Sequence, residues 1–221
     1  SRVAYDRHTA QVLIESRPYL AGADWNLNAR ARIRPDPLGG REHLALDQTP
    51  NLINVDLVHL YQEFTARGLN YGPAFRLADS IEIDGDNRAV ISLSSGANSA
   101  ACFLDPCVLD SAMHGLLAVL KRRPPVTDQS YLPVRFGRVR LFRPGTAIEY
   151  AEVRVRRATV RDVQSEVDLF DGDGRIVATV SDLRLRATPD ANAAPSTPRF
   201  WRQTERRLSG PSGAPSKWSD P

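Results

Sequence analysis

The sequence is poor in lysine: Lys121 and Lys217 are the only two, and the rest of its 29 cationic residues are arginines. These are scattered, no basic run is interleaved with stacking aromatics (7% of the chain), and the formal net charge is only +3, so no nucleic-acid partner is expected. Cysteine is scarce too. Cys102 and Cys107 offer neither metal-ligand spacing nor a disulfide framework, and they read as small buried apolar residues of a reduced, cytoplasmic protein. Ser111 lacks a glycine elbow, so serine-hydrolase chemistry is not expected. No apolar run is long enough to span a membrane and no signal peptide is visible. The single methionine is Met113 and the sequence opens Ser1-Arg2-Val3, as expected of a piece of something longer.

What is present is an ordinary globular composition, with 42% apolar and 25% charged residues over 221 positions. The centre of the chain is Cys102 to Leu117. Asp105 can cap a helix by accepting from first-turn N–H groups, and Pro106 suits the first helical position, where a missing N–H costs nothing. Val108, Leu109, Ala112, Met113, Leu116, Leu117 and Leu120 then cover most of a helix surface, predicting a buried helix over 106–121 that stops before Pro124-Pro125. Within it Asp110 and His114 lie four residues apart, on one face. A carboxylate and an imidazole in apolar surroundings are costly unless paired or used. Taken alone, the spacing favours a satisfied structural pair over a catalytic one, and the flanking segments have to decide.

Around this helix the sequence predicts strands. Residues 9–17 and 25–34 read as a hairpin turning at Pro18 and Gly22, with Trp25, Leu27, Ala29, Ala31 and Ile33 on a face that needs a partner. Pro35, Pro37, Gly39, Gly40 and Pro50 mark a joint, placing a linker at 37–54 between a first unit (1–36) and a second (55–188). A short amphipathic helix is expected over 55–67, with Gly68 closing it. Strands follow at 76–84 and 88–94, then at 131–142, 148–157, 163–170 and 175–186, with Asp84-Gly85-Asp86-Asn87 and Asp171-Gly172-Asp173-Gly174 as hairpin turns. The arginine-rich strand 152–161 reads as a solvated outer face that could also meet an acidic partner. Residues 189–221 read as a flexible linker with Phe200-Trp201 as an aromatic anchor. A long buried helix against about six antiparallel strands is an α+β, hot-dog arrangement.

Three segments together carry a resemblance. Leu104-Asp105-Pro106-Cys107-Val108-Leu109-Asp110-Ser111-Ala112-Met113-His114 resembles the "HPALLDAALH" block of dehydratase domains in modular polyketide synthases. Gly68-Leu69-Asn70-Tyr71-Gly72-Pro73-Ala74-Phe75 resembles their "GLxYGPAF" block. Tyr131-Leu132-Pro133-Val134-Arg135-Phe136-Gly137-Arg138-Val139-Arg140-Leu141 resembles their "LPFSWRGVRL" block. The hairpin through Asp171-Gly172-Asp173-Gly174, and the opening one with Trp25, agree with the family in order and spacing, so the resemblance covers roughly residues 9–190.

That family is a double hot dog which removes water from a β-hydroxyacyl chain held on an acyl carrier protein, and this chain would be its C-terminal half with the closing hairpin of the first. The resemblance implies Asp110 as the acid that protonates the departing hydroxyl and His114 as the residue that orients it. It implies Tyr71, Gly72, Pro73, Leu132 and Pro133 as substrate-binding positions. No metal is implied, and no cofactor beyond the carrier protein's phosphopantetheine arm. Partners would be the carrier protein, neighbouring synthase domains, the first hot-dog half and a second copy in a homodimer. The family's other catalytic residue is a His in an HxxxGxxxxP motif, which this sequence lacks: four residues beyond His8, His43, His59 and His114 stand Val12, Asp47, Glu63 and Ala118. Asp105 replaces the usual His before Pro106, and Val134 replaces Phe. Without the motif His the chain alone is expected to be inactive. A double-bond isomerase or cyclase on the same fold, and a non-catalytic structural half, are the alternative readings.

Overall fold

The computed structural model describes residues 1–18, 24–35, 52–94, 102–123 and 130–188. The predicted linker up to residue 51 and the segment 189–221, including Phe200-Trp201, lie outside the described residues. Ten strands and two α-helices follow in order. They are β1 (Arg2–Asp6), β2 (Gln11–Ser16), β3 (Asn26–Arg32), β4 (Ile53–Asn54), α1 (Leu57–Ala66), β5 (Ala78–Asp84), β6 (Arg88–Leu93), α2 (Pro106–Lys121), β7 (Ser130–Leu141), β8 (Tyr150–Ala158), β9 (Asp162–Phe170) and β10 (Ile176–Thr188). A 3₁₀ turn, Pro73–Phe75, sits between α1 and β5.

The larger sheet has seven strands in the order β4-β5-β6-β8-β9-β10-β7, every neighbouring pair antiparallel. The sequence predicts about six, and the extra one is β4, two residues at the end of the stretch read as linker. Helix α2 packs on β5, β6, β8 and β9. Its start is as the sequence predicts: the Asp105 side chain accepts from the Cys107 N–H at 2.8 Å, with Pro106 in the first turn. Ten of its residues are buried, from Val108 to Leu120. Seven of them, Val108, Ala112, Met113, Leu116, Ala118, Val119 and Leu120, share one core with Ile81, Ile91, Val153, Val167 and Leu169 of the sheet. At about 1.5–3 kcal/mol for each large side chain, this burial outweighs any single polar contact on the helix. The arrangement is a hot dog, an α+β fold.

Gly115 sets how closely helix and sheet approach. A Cβ built there would lie 2.6 Å from Ile91 Cδ1 and 3.1 Å from Val153 Cγ2, against side chains that are themselves fully buried. Only a residue without a side chain fits between β6 and β8.

Residues 151, 153 and 155 of β8 point towards α2, so Glu152, Arg154 and Arg156 point away. This outer face is not simply solvated, as the sequence reading had it. Glu152 is only 2% exposed, covered by arginines on both sides. Arg88 donates to Glu152 at 2.9 Å and to Asp84 at 2.8 Å. Arg154 pairs with Glu152 and donates to Asp168 at 3.1 Å, while Arg156 pairs with Glu166. Two like-charged couples stand directly opposite across the strands (Arg88 beside Arg154, Glu152 beside Asp168), and Arg88–Glu152, Arg154–Asp168 and Arg156–Glu166 pair on the diagonals, while Arg88–Asp84 pairs straight across β5 and β6. Burial raises the pKa of Asp168, against the pull of Arg154.

The opening segment forms a separate three-stranded sheet, β1-β2-β3, where the sequence predicts two strands. β1 is the addition, pairing Arg2–Asp6 with Gln11–Glu15. Its apolar side is not covered by the described residues: Val3, Tyr5, Ile14, Leu27 and Ile33 are all exposed. Trp25 is partly covered by the guanidinium groups of Arg2 and Arg17, 4.2 and 4.6 Å from its ring centroid. The cysteines depart from expectation as well, since Cys102 is exposed and Cys107 only half-buried.

Gly115→Ala should overpack this contact, costing about 1–3 kcal/mol before the gain of about 1 kcal/mol from better helix propensity. The signature is compensation: Ile91→Val, destabilising alone, should partly restore the denaturation midpoint of Gly115→Ala. The exposed sheet face should also drive association, so sedimentation should show mass rising with concentration. Leu27→Lys with Ile33→Lys should suppress that rise without changing the unfolding of the larger sheet.

Candidate active site

The site is built where α1, the segment after it and α2 converge. α1 starts on Asp56, whose side chain accepts from the His59 N–H at 3.1 Å. It ends on Gly68, at φ +82°, as the sequence predicts. There the Leu69 N–H donates to the Phe64 carbonyl at 2.8 Å and the Gly68 N–H to the Thr65 carbonyl at 2.9 Å. These two bonds make a Schellman motif, a reversal only a residue tolerant of positive φ allows. It turns Tyr71 back against the helix it has just left, 5.6 Å from Phe64 and 6.4 Å from Tyr61 between ring centroids.

His114 stands in the middle of these rings. It is 1% exposed, with Tyr71, Tyr61 and Phe64 at 4.3, 5.5 and 5.6 Å between centroids. Its Nδ1 lies 3.2 Å from the Tyr61 hydroxyl, and its Nε2 lies 3.6 Å from Asp110 Oδ2. The Asp110 side chain retains 30% of its exposure, so one end of the pair is enclosed and the other opens outward. Burial and the neighbouring Asp110 push the Tyr71 phenol up to about 12, and burial also raises Tyr61. Both phenols therefore hold their protons across the neutral range. Arg76 ties the two tyrosines together: its Nε donates to the Tyr71 carbonyl at 2.9 Å, and its guanidinium lies 5.1 Å from the Tyr61 ring centroid.

Ser111, one residue after Asp110, is fully buried and acts as a clamp. Its hydroxyl donates to the Phe75 carbonyl at 3.0 Å and accepts from the Leu77 N–H at 3.3 Å. The segment carrying Tyr71, Gly72 and Pro73 is thereby fastened to α2. Pro73 opens the 3₁₀ turn, and Gly72 precedes it at φ −78°, ψ 170°, extended backbone that any residue adopts. A Cβ on Gly72 would meet nothing within 4 Å. Steric need for glycine is thus absent there in this structure.

The structure brings together Asp110, His114 and Tyr71, with Gly72 and Pro73 in the adjoining segment. Leu132 and Pro133 are elsewhere. They lie on β7, the outermost strand, two strands beyond the last one that α2 covers. Pro133 is tolerated there because an edge strand needs no ladder donor on its free side, and the pairing with β10 is irregular beside it, at Arg184/Leu185. Tyr61 is the site residue that the sequence reading passed over as one apolar member of α1. Its only signal was a polar handle three residues before Phe64, on the buried side of that helix. Among the described residues no group of three or more His, Cys, Asp or Glu could hold a metal ion. None of the described helices is long and apolar enough to cross a membrane.

Comparison with known proteins bears on the family and the fold. Residues 40–195, more than half of the chain, match the sequence model described as "Polyketide synthase dehydratase N-terminal domain". The chain belongs to the polyketide synthase dehydratase family. Mycoketide-CoA synthase of Mycobacterium tuberculosis is 25% identical over 172 residues, covering 76% of this chain and 4% of that protein. Polyketide synthase GfsE of Streptomyces halstedii is 34% identical over 150 residues, covering 65% of this chain and 4% of that protein. The chain thus corresponds to a small part of such synthases. Among solved structures, a trans-AT dehydratase domain from Brevibacillus brevis superposes with a TM-score of 0.66 at 22% identity, over 85% of this chain and 68% of that one. The dehydratase domain from the CurF module of curacin polyketide synthase gives 0.67 at 20% identity, over 84% and 67%. These likenesses show the hot-dog fold of the dehydratases.

The raised phenols have a pH signature. A group whose pKa is higher in the folded state than its ordinary 10.0 stabilises the fold fully below that value and loses its contribution as pH rises towards about 12. Stability should therefore fall over this alkaline window, and Tyr71→Phe should flatten the fall; denaturant titrations at its two ends measure it. Near-ultraviolet titration should show the matching late ionisation disappear in the same variant.

Proposed function

We propose that this chain supplies the acid half of a dehydratase acting on a β-hydroxyacyl thioester carried by an acyl carrier protein. The observation that carries the reading is the Asp110–His114 pair on α2, with Nε2 3.6 Å from Oδ2, the imidazole enclosed and the carboxyl partly open. A base takes the α-proton of the substrate, the Cα–Cβ double bond forms, and the Cβ–O bond breaks. Asp110 gives its proton to the departing hydroxyl, which leaves as water. A carboxyl suits this role because it can hold a proton against an apolar wall and release it to a developing hydroxide. His114 holds Asp110 in place through Oδ2, while the other carboxyl oxygen faces the substrate.

The base is assigned to the HxxxGxxxxP His of a first hot-dog half, which these 221 residues do not contain. On this reading residues 55–188 are the second half and residues 1–36 the closing strands of the first. The exposed side of β1-β2-β3 supports it, being the face that such a half would cover. Tyr71, Gly72 and Pro73 border the substrate beside Asp110, and Leu132 and Pro133 would line it only where the two halves meet. No cofactor is required beyond the carrier's phosphopantetheine arm. The carrier protein and neighbouring synthase domains are the partners, in a cytoplasmic, dimeric synthase.

The test is conversion of a 3-hydroxyacyl carrier-protein thioester to the 2-enoyl product, followed by the mass loss of water. It uses this chain joined to a half bearing the His motif, and the 221 residues alone should give no turnover. Asp110→Asn keeps shape but cannot deliver a proton, and should cost about 10²–10⁴-fold in rate, at the upper end because hydroxide is a poor leaving group. His114→Gln, which can still donate to Asp110, should cost far less. An Asp110→Asn rate above about a tenth of wild type, a loss well short of that general-acid range, would remove Asp110 from the role.

A further inference from the structure

Tyr61 carries a role of its own. Its hydroxyl and His114 Nδ1 are 3.2 Å apart, and no other hydrogen bond of that hydroxyl is found among the described residues. The opposite nitrogen, Nε2, is buried and has no partner within hydrogen-bond range among them; the nearest acceptor is Asp110 Oδ2 at 3.6 Å. A neutral imidazole has one N–H and one lone pair, so the two contacts fix each other. If Nδ1 carried the proton, Tyr61 would accept, its own proton would have no acceptor among the described residues, and Nε2 would turn a lone pair towards Oδ2. If Tyr61 donates instead, Nδ1 accepts and Nε2–H points at Oδ2, 3.6 Å away, so that both protons are aimed at an acceptor. Burial raises the pKa of Tyr61, which keeps the phenol proton available for donation.

We propose that Tyr61 is a positioning residue: by donating to Nδ1 it places the imidazole proton on Nε2, facing Asp110 Oδ2. This rests on the reading of Asp110 as the acid and extends it to the oxygen that carries the proton. Occupied by Nε2–H, Oδ2 is the carbonyl oxygen of the acid, so the transferable proton sits on Oδ1. The chain Tyr61–His114–Asp110 joins α1 to α2, and the orientation of the carboxyl depends on a helix that does not bear it. The groups placed around the imidazole are Asp110 from α2, Tyr61 from α1 and Tyr71 from the segment after it, with Arg76 over the Tyr61 ring. β6 and β8 meet α2 at Gly115 with Ile91 and Val153, which are apolar.

The experiment is a long-range ¹H–¹⁵N correlation spectrum of the ¹⁵N-histidine-labelled 221-residue chain, recorded with the imidazole neutral. His114 is assigned by its loss in His114→Gln. The expected result is one tautomer, with the proton on Nε2 and Nδ1 shifted by an accepted hydrogen bond. In Tyr61→Phe that hydrogen-bond shift should vanish and the two nitrogens should move towards values averaged over both tautomers. Tyr71→Phe, which removes a hydroxyl with no hydrogen bond found to the ring, should leave the tautomer as it is. A proton on Nδ1 in the unaltered chain overturns the proposal, and so does a Tyr61→Phe spectrum unchanged from it. If Tyr61→Phe does not fold, the unaltered chain alone decides. Because the spectrum does not depend on turnover, it stands or falls separately from the Asp110→Asn rate.

Discussion

The separation between α2 and the sheet governs everything else in the larger unit. Gly115 lets the helix settle onto β6 and β8 until Ile91 and Val153 touch its backbone. At that depth His114, one residue earlier, is drawn wholly out of water, and Asp110, one turn before it, stays at the rim. A helix held farther off by a methyl group would lift both, and the graded burial of the pair would be lost. The chemistry proposed for Asp110 thus follows from a packing distance set by a residue with no side chain.

The polar contacts around the site divide into two kinds. Ser111 bonds to the backbone on both sides of the turn, at Phe75 and Leu77, and so fixes where the loop lies. Tyr61 and Asp110 flank the imidazole, one at Nδ1 and the other 3.6 Å from Nε2, and bear on which way it faces. The aromatic rings of Phe64 and Tyr71 supply the apolar wall that makes those contacts count, because a hydrogen bond in a low-dielectric enclosure is costly to leave unmade.

Much of this was legible in the sequence, for reasons that differ by element. The bounds of α2 could be read at 106–121 because its signals are local: an aspartate cap, a proline at the first position, an apolar surface and a Pro-Pro stop. Gly68 was legible for the same reason. β1 was not, since Arg2–Asp6 offers only Val3 and Tyr5 in alternation and becomes a strand by pairing with β2. β4, at two residues, is too short to carry any pattern. Asp110 and His114 could be paired from their spacing alone. Tyr61 could not be added, because its contact with His114 spans 53 positions and exists only once α1 packs beside α2. Nor does spacing tell that Leu132 and Pro133 fall on the outermost strand, which depends on β7 pairing with β10 after β8 and β9 have formed.

The diagonal charge pairs on the back of the sheet have one more consequence. Side chains alternate with a period of two, so sliding β8 by a single residue against β6 and β9 would swing Glu152 and Arg154 into the space under α2 and turn Val153 out to water. It would also break the three diagonal pairs that β8 makes with β6 and β9 at once, bringing Val153 and its neighbours opposite Arg88, Glu166 and Asp168 in place of charged partners. Mispaired forms of this sheet are thus penalised twice, by apolar exposure on one face and by unmatched charge on the other. The arginines that cover Glu152 act as a proofreading device for strand alignment, and they keep the strands under α2 in register from the opposite face of the sheet.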